Sequence, residues 1–243
     1  MKISELFYSI QGEGKRTGSP SFFIRTNHCN LRCKFPGGNL CDTPYTSWYP
    51  DDNKNLGEIE ISEILDEYRK YNCGDIVISG GEPTMYASEL TQLCKELKNI
   101  NKDLIITIET NGTYSGDFVD HIDLLSISPK LSSSVPYKTA HEKMHQKNRI
   151  NADVLRKFNA LKENCKIDIQ WKFVFNSEDD VSEIKELMDL VGFKNKDVYL
   201  MPEGITSEDL NKNRSGAIEA CMKNQFNYTD RLHILVWGNT RGK

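Results

Sequence analysis

The sequence predicts an α/β fold built on a parallel β-sheet, and three observations indicate it. Short apolar runs alternate with segments of ten or more residues that carry apolar side chains at helical spacing. Such alternation is typical of strands joined by helical crossovers. The 243 residues suffice for one large domain, and no repeat or linker divides them. We expect a single domain over 1–243, with either a doubly wound sheet or an open, incomplete barrel.

The individual elements follow from the same runs. Strands are predicted at 21–26, 75–79, 104–110, 124–129, 167–175, 197–201 and 232–237. Helices are predicted at 60–71, 89–100, 152–164, 180–191 and 207–224. The polar segments SGGEP, ETNGT and SPK each follow one of these strands. Because ligands bind at the carboxyl ends of parallel strands, we expect these segments to share a site.

Composition excludes several classes of protein. The net charge of −4 disfavours nucleic acid as a direct partner. No apolar run is long enough to span a bilayer, and the first residues lack a signal-peptide pattern, so a cytoplasmic protein is expected. The number of cysteines, seven, is odd, and a domain of this size does not need disulfides for stability. A disulfide framework is therefore not expected. The four isolated ones are expected to be small buried apolar residues: Cys73, Cys94, Cys165 and Cys221.

The other three cysteines, Cys29, Cys33 and Cys41, crowd into the segment CNLRCKFPGGNLC. Such spacing favours a metal centre over three unliganded thiols. Zinc would need a fourth ligand, and the nearest candidate, His28, would point away in an extended segment. A [4Fe-4S] cluster on three thiolates instead leaves one iron open for a substrate. The cluster fits the cysteine pattern better.

Together with VISGGEP, the cysteine cluster resembles the radical S-adenosylmethionine (SAM) superfamily, whose open iron chelates SAM and whose reduced cluster cleaves it to a 5′-deoxyadenosyl radical. Further blocks between residues 9 and 242 are similar to the 7-carboxy-7-deazaguanine synthase family: SIQGEGKRTGSPSFFIRTNHCNLRC, CDT, ISGGEP, ETNGT, SISPK and LVWGNTRG. One departure is the seven-residue insertion KFPGGNL, where the superfamily usually has two residues between its last two cysteines. The path of this insertion is left open.

The family resemblance implies a fold, a reaction and partners. The fold would be an incomplete parallel (β/α) barrel. The reaction would be the radical ring contraction of 6-carboxy-5,6,7,8-tetrahydropterin, with loss of ammonia, by a carbon–nitrogen lyase of queuosine and 7-deazapurine biosynthesis. A [4Fe-4S] cluster, SAM and Mg²⁺ would be the cofactors. A flavodoxin or ferredoxin-type protein would donate electrons, and the chain would form a homodimer without binding nucleic acid or membrane.

The resemblance also assigns roles to single residues. Cys29, Cys33 and Cys41 would ligate the cluster, and Thr43 would ligate Mg²⁺. SAM would be bound by Leu40, Asp42, Gly81, Glu82, Ser128, Pro129 and Lys130, with Glu82 offering its carboxylate to an amine. The substrate would be bound by Ile10, Gln11, Gly12, Arg25, Ser79 and Lys243. For several of these, an ordinary loop or turn residue is the alternative: Thr43, Lys130 and, in the same segment as Gln11, Glu13.

Arg25 is also notable from the sequence alone, because a charged residue in an apolar strand either lies at an edge or points into a site. The resemblance favours the site, where a guanidinium suits a carboxylate.

Two other functions would also explain the three clustered cysteines. An activase that installs a glycyl radical on a partner protein shares the cluster and GGEP, although IQGEG and the WGNTRG tail favour a small enclosed substrate. A zinc-binding interaction module would be colourless.

Overall fold

The computed structural model describes residues 1–164 and 166–243, so the expectation for Cys165 lies outside the described residues. Within this part of the chain, nine strands form one sheet. Their bounds are β1 Lys2–Ile10, β2 Pro20–Thr26, β3 Gly57–Glu58, β4 Asp75–Gly80, β5 Ile105–Thr110, β6 Leu124–Ile127, β7 Asp168–Phe175, β8 Val198–Pro202 and β9 Asn227–Tyr228. Six of the seven predicted strands are confirmed, with ends shifted by two residues at most.

The sheet is mostly parallel and does not close. Its order is β3-β1-β2-β4-β5-β6-β7-β8-β9. The first two pairings, β3 with β1 and β1 with β2, are antiparallel. Every pairing from β2 to β9 is parallel. The two-residue strands β3 and β9 lie at opposite edges of the sheet, so the barrel is incomplete, as the resemblance implies.

Helical crossovers connect the parallel strands. The helices are α1 Pro44–Ser47, α2 Ile61–Tyr68, α3 Ala87–Ile100, α4 Glu142–Asn148, α5 Ala152–Glu163, α6 Glu178–Val191, α7 Ser207–Asn224 and α8 Leu232–Trp237. All five predicted helices are confirmed. Their ends follow from local chemistry: Ser177 and Asp180 form a capping box at the start of α6, and Gly192 ends that helix with φ +98°. No helix in the described residues is long and apolar enough to cross a membrane.

The two faces of the sheet differ in chemistry. The outer face packs on the helices in one large apolar core, which includes Ile76 and Ile78. The inner face carries a small apolar cluster of Phe7, Phe23 and Val77, with the two phenyl rings stacked at 4.8 Å. Because side chains alternate along a strand, the positions two residues further toward the carboxyl ends also face inward. These inward positions are polar, as described below.

One predicted strand is wrong: residues 232–237 form helix α8. Of its apolar residues only Ile234 is buried, with 1% of its surface exposed, whereas Val236 is 57% exposed. A six-residue apolar run does not distinguish a buried strand from a helix packed on one side. The edge of the sheet is instead taken by β9, which pairs with β8 through Tyr199–Asn227 and Leu200–Tyr228. The antiparallel strand β1 also escaped prediction.

The one buried apolar residue of α8 should matter more for stability than its exposed neighbours. Ile234→Ala should lower the free energy of unfolding by about 2–5 kcal/mol, because it opens a cavity beneath α8. Val236→Ala, two residues away, should change it by less than about 0.5 kcal/mol. Urea titration of both variants measures the difference. Equal losses at both positions would contradict a helix buried on one face.

Candidate active site

A cavity of about 480 Å³ lies at the carboxyl ends of the parallel strands. Its walls come from β1 and the loop after it, from the cysteine segment, from the ends of β4 to β8 and from the last residues of the chain. All residues predicted to bind the cluster, SAM, Mg²⁺ or substrate line this cavity, except Glu82 and Pro129. The parallel sheet therefore brings together segments that are distant in sequence.

The three clustered cysteines share one wall of the cavity. Cys29 follows β2, Cys33 is 6% exposed, and Cys41 follows the insertion. Burial raises the pKa of all three thiols, that of Cys33 to about 12. The charges of the neighbouring thiolates add to this effect at Cys29, where both other cysteines contribute. Bound cationic iron would reverse this penalty, since metal coordination deprotonates thiols.

Zinc and an iron–sulfur cluster place different demands on three thiols. Across the described residues, no three His, Cys, Asp or Glu side chains converge closely enough to hold a single metal ion. Zinc draws all its ligands to one point, whereas an iron–sulfur cluster takes each thiolate on a different iron. His28, with φ 66°, does not line the cavity, so it does not supply a fourth ligand.

The insertion between Cys33 and Cys41 is a tight hairpin. Lys34 and Leu40 form an antiparallel bridge, and the amide of Phe35 donates to the carbonyl of Asn39 at 2.8 Å. The turn is made by Gly38 with φ +92°, a conformation that glycine adopts easily. The hairpin ends with the Cys41 amide donating to the Cys33 carbonyl at 3.2 Å. The extra residues thus leave the wall and return, and the last two cysteines stay adjacent.

Gly81 lets the end of β4 lie directly against the first cysteine. A Cβ atom on Gly81 would lie 1.9 Å from the carbonyl oxygen of His28. The contact is fixed by two hydrogen bonds, from the Gly81 amide to the Thr26 carbonyl at 3.1 Å and from the Glu82 amide to the His28 carbonyl at 2.8 Å. The GG of the SGGEP segment is therefore required by close packing of two backbones.

The carboxylate of Glu82 differs from its predicted use. It is fully buried, does not line the cavity, and accepts hydrogen bonds from the Asn111 amide at 2.6 Å and the hydroxyls of Thr110 and Thr84 at 2.7 and 2.6 Å. Burial raises its pKa. With both oxygens engaged by protein donors, this carboxylate fastens the end of β5 to the end of β4. An amine in the cavity does not meet it.

A buried ionic network, which the sequence analysis missed, forms another wall of the cavity. Lys172 pairs with Glu13 and, at 3.2 Å, with Glu109. Arg231 pairs with Glu13 at 3.0 Å and with Asp42. Lys172 and Arg231 are only 4% and 5% exposed. The rule applied to Arg25, a charge within an apolar strand, could have found Lys172 in IDIQWKFVF and Glu109 in LIITIET.

Charge pairing sets the protonation of this network. Burial alone would raise the pKa of Glu13, but Lys172 and Arg231 outweigh it and hold this pKa well below its usual range. Burial lowers the pKa of Lys172, but the negative charges of Glu109 and Glu13 raise it by more. The pKa of Lys172 is therefore higher than usual. The pKa of Asp42 is also lowered, because Arg231 outweighs the effect of burial. These side chains therefore stay charged at neutral pH.

Glu109 connects the network to the predicted substrate residues. It accepts hydrogen bonds from the Ser79 hydroxyl at 2.9 Å and from the Gln11 side-chain amide at 3.3 Å. Gly12 packs directly against His233. A Cβ atom at this position would lie 2.2 Å from the imidazole Nδ1, so any side chain would collide with it. The loop after β1 is thus held against β5 on one side and α8 on the other.

Arg25 and the end of the chain meet at Glu5. This buried carboxylate accepts from Arg25 Nε at 2.8 Å, from the Tyr45 hydroxyl at 2.8 Å and from Arg241 Nε at 2.7 Å. Arg25 uses Nε for this bond, so its terminal amino groups are left for a ligand in the cavity. Arg241, which lies over the Tyr45 ring at 4.1 Å, holds the tail so that Lys243 lines the cavity.

The remaining predicted residues are also located. Lys130 donates to the Ser128 hydroxyl at 2.7 Å, and both line the cavity, whereas Pro129 between them does not. Thr43 is 8% exposed, and its hydroxyl lies 3.4 Å from the sulfur of Cys41. Ser47 offers a buried hydroxyl with no hydrogen-bond partner on the same wall. Ile10 and Leu40 also line the cavity, as predicted.

Comparisons with known proteins agree with this geometry. A profile described as "Radical SAM superfamily" matches residues 23–191. The chain is 37% identical to the 7-carboxy-7-deazaguanine synthase of Rhodopirellula baltica, over 99% of this chain and 88% of that protein. It is 36% identical to the enzyme of the same name from Halobacterium salinarum, over 98% of this chain and 91% of that protein. The crystal structure of QueE from Escherichia coli shares the fold with TM-score 0.67 and 22% identity, over 96% of this chain and 94% of that one.

The fold, the three-cysteine wall and the profile define a radical SAM enzyme. Such enzymes use a [4Fe-4S] cluster and SAM, and three cysteines line the cavity of this chain. Within that superfamily, the chain belongs to the 7-carboxy-7-deazaguanine synthase family.

Adding a methyl group at Gly81 should disturb the cysteine segment. Gly81→Ala must displace the His28 carbonyl, so we expect a loss of about 1–3 kcal/mol in the free energy of unfolding. The affinity of the reconstituted enzyme for SAM, measured by equilibrium dialysis, should fall as well. Gly37→Ala is the matched control, because a Cβ there meets nothing within 4 Å. If the Gly81 variant matched the Gly37 variant in both measurements, the close contact would be disproved.

Neutralising Glu13 should destabilise the chain in a pH-dependent way. Glu13→Gln leaves the buried cations Lys172 and Arg231 short of one negative charge, so we expect a loss of about 3–5 kcal/mol at pH 7. Because the pKa of Glu13 is lower in the folded state, its contribution is full above the unfolded pKa of about 4.3 and fades as the pH falls below it.

Urea titrations of the wild type and the variant at pH 7 and pH 3.5 measure this effect. The gap between them should narrow at the lower pH. The exposed carboxylate Glu63 on α2 gives the control variant Glu63→Gln, which should show no gap at either pH. A gap for Glu13→Gln that is constant across this range would contradict the ionic role.

Proposed function

We propose that the chain is a 7-carboxy-7-deazaguanine synthase, which contracts the ring of 6-carboxy-5,6,7,8-tetrahydropterin and releases ammonia. The observation that carries this proposal is one cavity with two chemically different walls. One wall holds three thiols and the glycine-rich end of β4, and the other holds Arg25, Glu109 and Lys172. The similarity to the named synthases spans nearly the whole chain. The product would serve queuosine and other 7-deazapurine pathways.

The cysteine wall would hold the cofactors. Cys29, Cys33 and Cys41 would ligate the [4Fe-4S] cluster, which, when bound, supplies an electron that cleaves SAM to a 5′-deoxyadenosyl radical. Gly81, Leu40 and Asp42 lie beside the thiols and would border the methionyl part of SAM. Three further SAM contacts are proposed for the segment after β6, at Ser128, Pro129 and Lys130. Since the Glu82 carboxylate is engaged inside the protein, its contribution would be to shape this edge.

The ionic wall would bind and orient the pterin. The terminal amino groups of Arg25 match the substrate carboxylate, with Glu5 holding the guanidinium in place. The guanine-like edge of the substrate carries N–H donors, from which the oxygens of Glu109, held in place by pairing with Lys172, can accept hydrogen bonds. Ile10, Gln11, Gly12 and Ser79 would surround the ring. The tail ending in Lys243 would cover the cavity and exclude water, which protects a radical from side reactions.

A magnesium ion would be held by Thr43 together with oxygens of the substrate. Its hydroxyl borders the cavity and lies next to the third cysteine, at the junction of the two walls. Mg²⁺ prefers hard oxygen ligands and keeps several waters, so one protein ligand is enough when the substrate supplies others.

Partners and location belong to the same proposal. A flavodoxin or ferredoxin-type protein would supply the electron, two chains would form a homodimer, and the enzyme would work in the cytoplasm as one domain. The six described cysteines are unpaired, which suits a reducing compartment. Neither nucleic acid nor membrane is required for a cavity of this kind.

The reaction is tested by anaerobic turnover. The reconstituted enzyme, given SAM, Mg²⁺, a reductant and 6-carboxy-tetrahydropterin, should form a product lighter than the substrate by one ammonia, as read by mass spectrometry. Cys41→Ala should abolish turnover, because the cluster loses a ligand, whereas Cys94→Ala removes a thiol on the buried face of α3 and should preserve turnover. Cleavage of SAM without this product would overturn the substrate and favour an activase.

The magnesium site is tested at Thr43. Thr43→Val removes the hydroxyl at nearly constant volume and should raise the Mg²⁺ concentration needed for half-maximal turnover by tenfold or more, an order-of-magnitude expectation for losing an inner ligand. Thr43→Ser keeps the hydroxyl and should behave like the wild type. Identical Mg²⁺ dependence in all three proteins would remove Thr43 from the metal site.

A further inference from the structure

The backbone amides of the residues before and after Cys33 are held by residues outside every motif described above. The backbone amide of Arg32 donates to His145 Nδ1 at 3.1 Å. The backbone amide of Lys34 donates to the carbonyl of Ser134 at 2.9 Å. His145 and Ser134 also contact each other, with the imidazole Nε2 3.1 Å from the hydroxyl oxygen. Two residues that touch one another thus bracket a single cysteine.

His145 and Ser134 are buried, and which atoms donate in their hydrogen bonds can be assigned. His145 is fully buried and Ser134 is 1% exposed. Because Nδ1 accepts from an amide, the imidazole proton resides on Nε2, which donates to the Ser134 hydroxyl. That hydroxyl donates in turn to the carbonyl of Leu131 at 2.7 Å. Burial, with Arg149 and Lys130 nearby, lowers the pKa of His145 to about 4, so the ring is neutral at physiological pH.

Cys33 also positions the next cysteine. Its carbonyl accepts from the indole of Trp48 at 3.0 Å and from the amide of Cys41 at 3.2 Å. The insertion hairpin therefore begins and ends on this peptide group. A shift of the Cys33 backbone would move two of the three thiols that face the cavity.

We propose that His145 is a positioning residue for the cluster: with Ser134, it clamps the backbone around Cys33 so that the thiols of Cys33 and Cys41 are presented at fixed positions. The inference rests on the proposed cluster site. Ligands held by outer hydrogen bonds bind a metal centre more tightly than free ones, because less conformational freedom is lost on binding. A histidine that only fills space would give the same fold without this effect.

The test compares variants that separate these roles. His145→Leu fills the space but leaves the Arg32 amide without an acceptor. His145→Asn retains an acceptor near the position of Nδ1. His121→Leu is the control, in a 3-10 helix at a different part of the chain. Each full-length protein is reconstituted anaerobically, and iron content, the electron paramagnetic resonance spectrum of the reduced cluster and the rate of iron extraction by a chelator are measured. Thermal unfolding of the apo protein reports folding separately.

We expect iron extraction from the His145→Leu protein to be about 10- to 100-fold faster than from the wild type, with an altered resonance spectrum. His145→Asn should recover most of both properties, and His121→Leu should equal the wild type. If the His145→Leu protein folds yet keeps the wild-type extraction rate and spectrum, the proposal is overturned. Absence of a cluster in the wild type would instead overturn the cluster assignment itself.

A second variant decides the matter should His145→Leu fail to fold. Ser134→Ala removes the hydroxyl that orients the imidazole but keeps the carbonyl that binds Lys34. Faster iron extraction from this protein, with an unchanged unfolding temperature of the apo form, would support the clamp. An extraction rate equal to that of the wild type would overturn it.

Discussion

Arg231 joins three segments of the chain that are distant in sequence. Its guanidinium binds Glu13 in the loop after β1, Asp42 beside the third cysteine, and the carbonyl of Gly204 after β8 at 2.7 Å. A buried cation is tolerated only where anions and carbonyl oxygens satisfy it, so each of these partners is constrained by the others. The cysteine wall and the ionic wall of the cavity are consequently fixed relative to one another. Lys172 extends the same network into the barrel through Glu109.

The polarity of the barrel interior follows from strand alternation and from position along each strand. Phe7 and Phe23 line the cavity and pack with Val77 in a small apolar cluster, and two residues after Phe23 and Val77 on the same strands lie Arg25 and Ser79. The charged side chains that line the cavity thus lie at the carboxyl ends of the strands, where the loops supply counter-charges. The apolar floor excludes water from beneath the site, which strengthens the electrostatic interactions above it.

Much of this organisation could be predicted from sequence because it depends on local signals. Apolar periodicity found the parallel strands, and the polar segments that follow them indicated a shared site at their carboxyl ends. The orientation of Glu82 could not be predicted, since it depends on donors from β5 that only the fold brings near. Helix α8 was missed because a short apolar run carries no periodicity. His145 lies in a segment without any motif, and only its contacts reveal a connection to Cys33.

In the proposed reaction, SAM and the pterin occupy one cavity, and the carboxylate-bearing carbon of the substrate faces the 5′ carbon of the SAM adenosyl group. The most direct measurement uses substrate deuterated at that carbon, incubated anaerobically with the reconstituted enzyme, reductant, Mg²⁺ and unlabelled SAM. We predict that deuterium appears at the 5′ carbon of the recovered SAM or 5′-deoxyadenosine, detected by mass spectrometry. Product formation with no deuterium in either molecule would contradict the arrangement of the two walls.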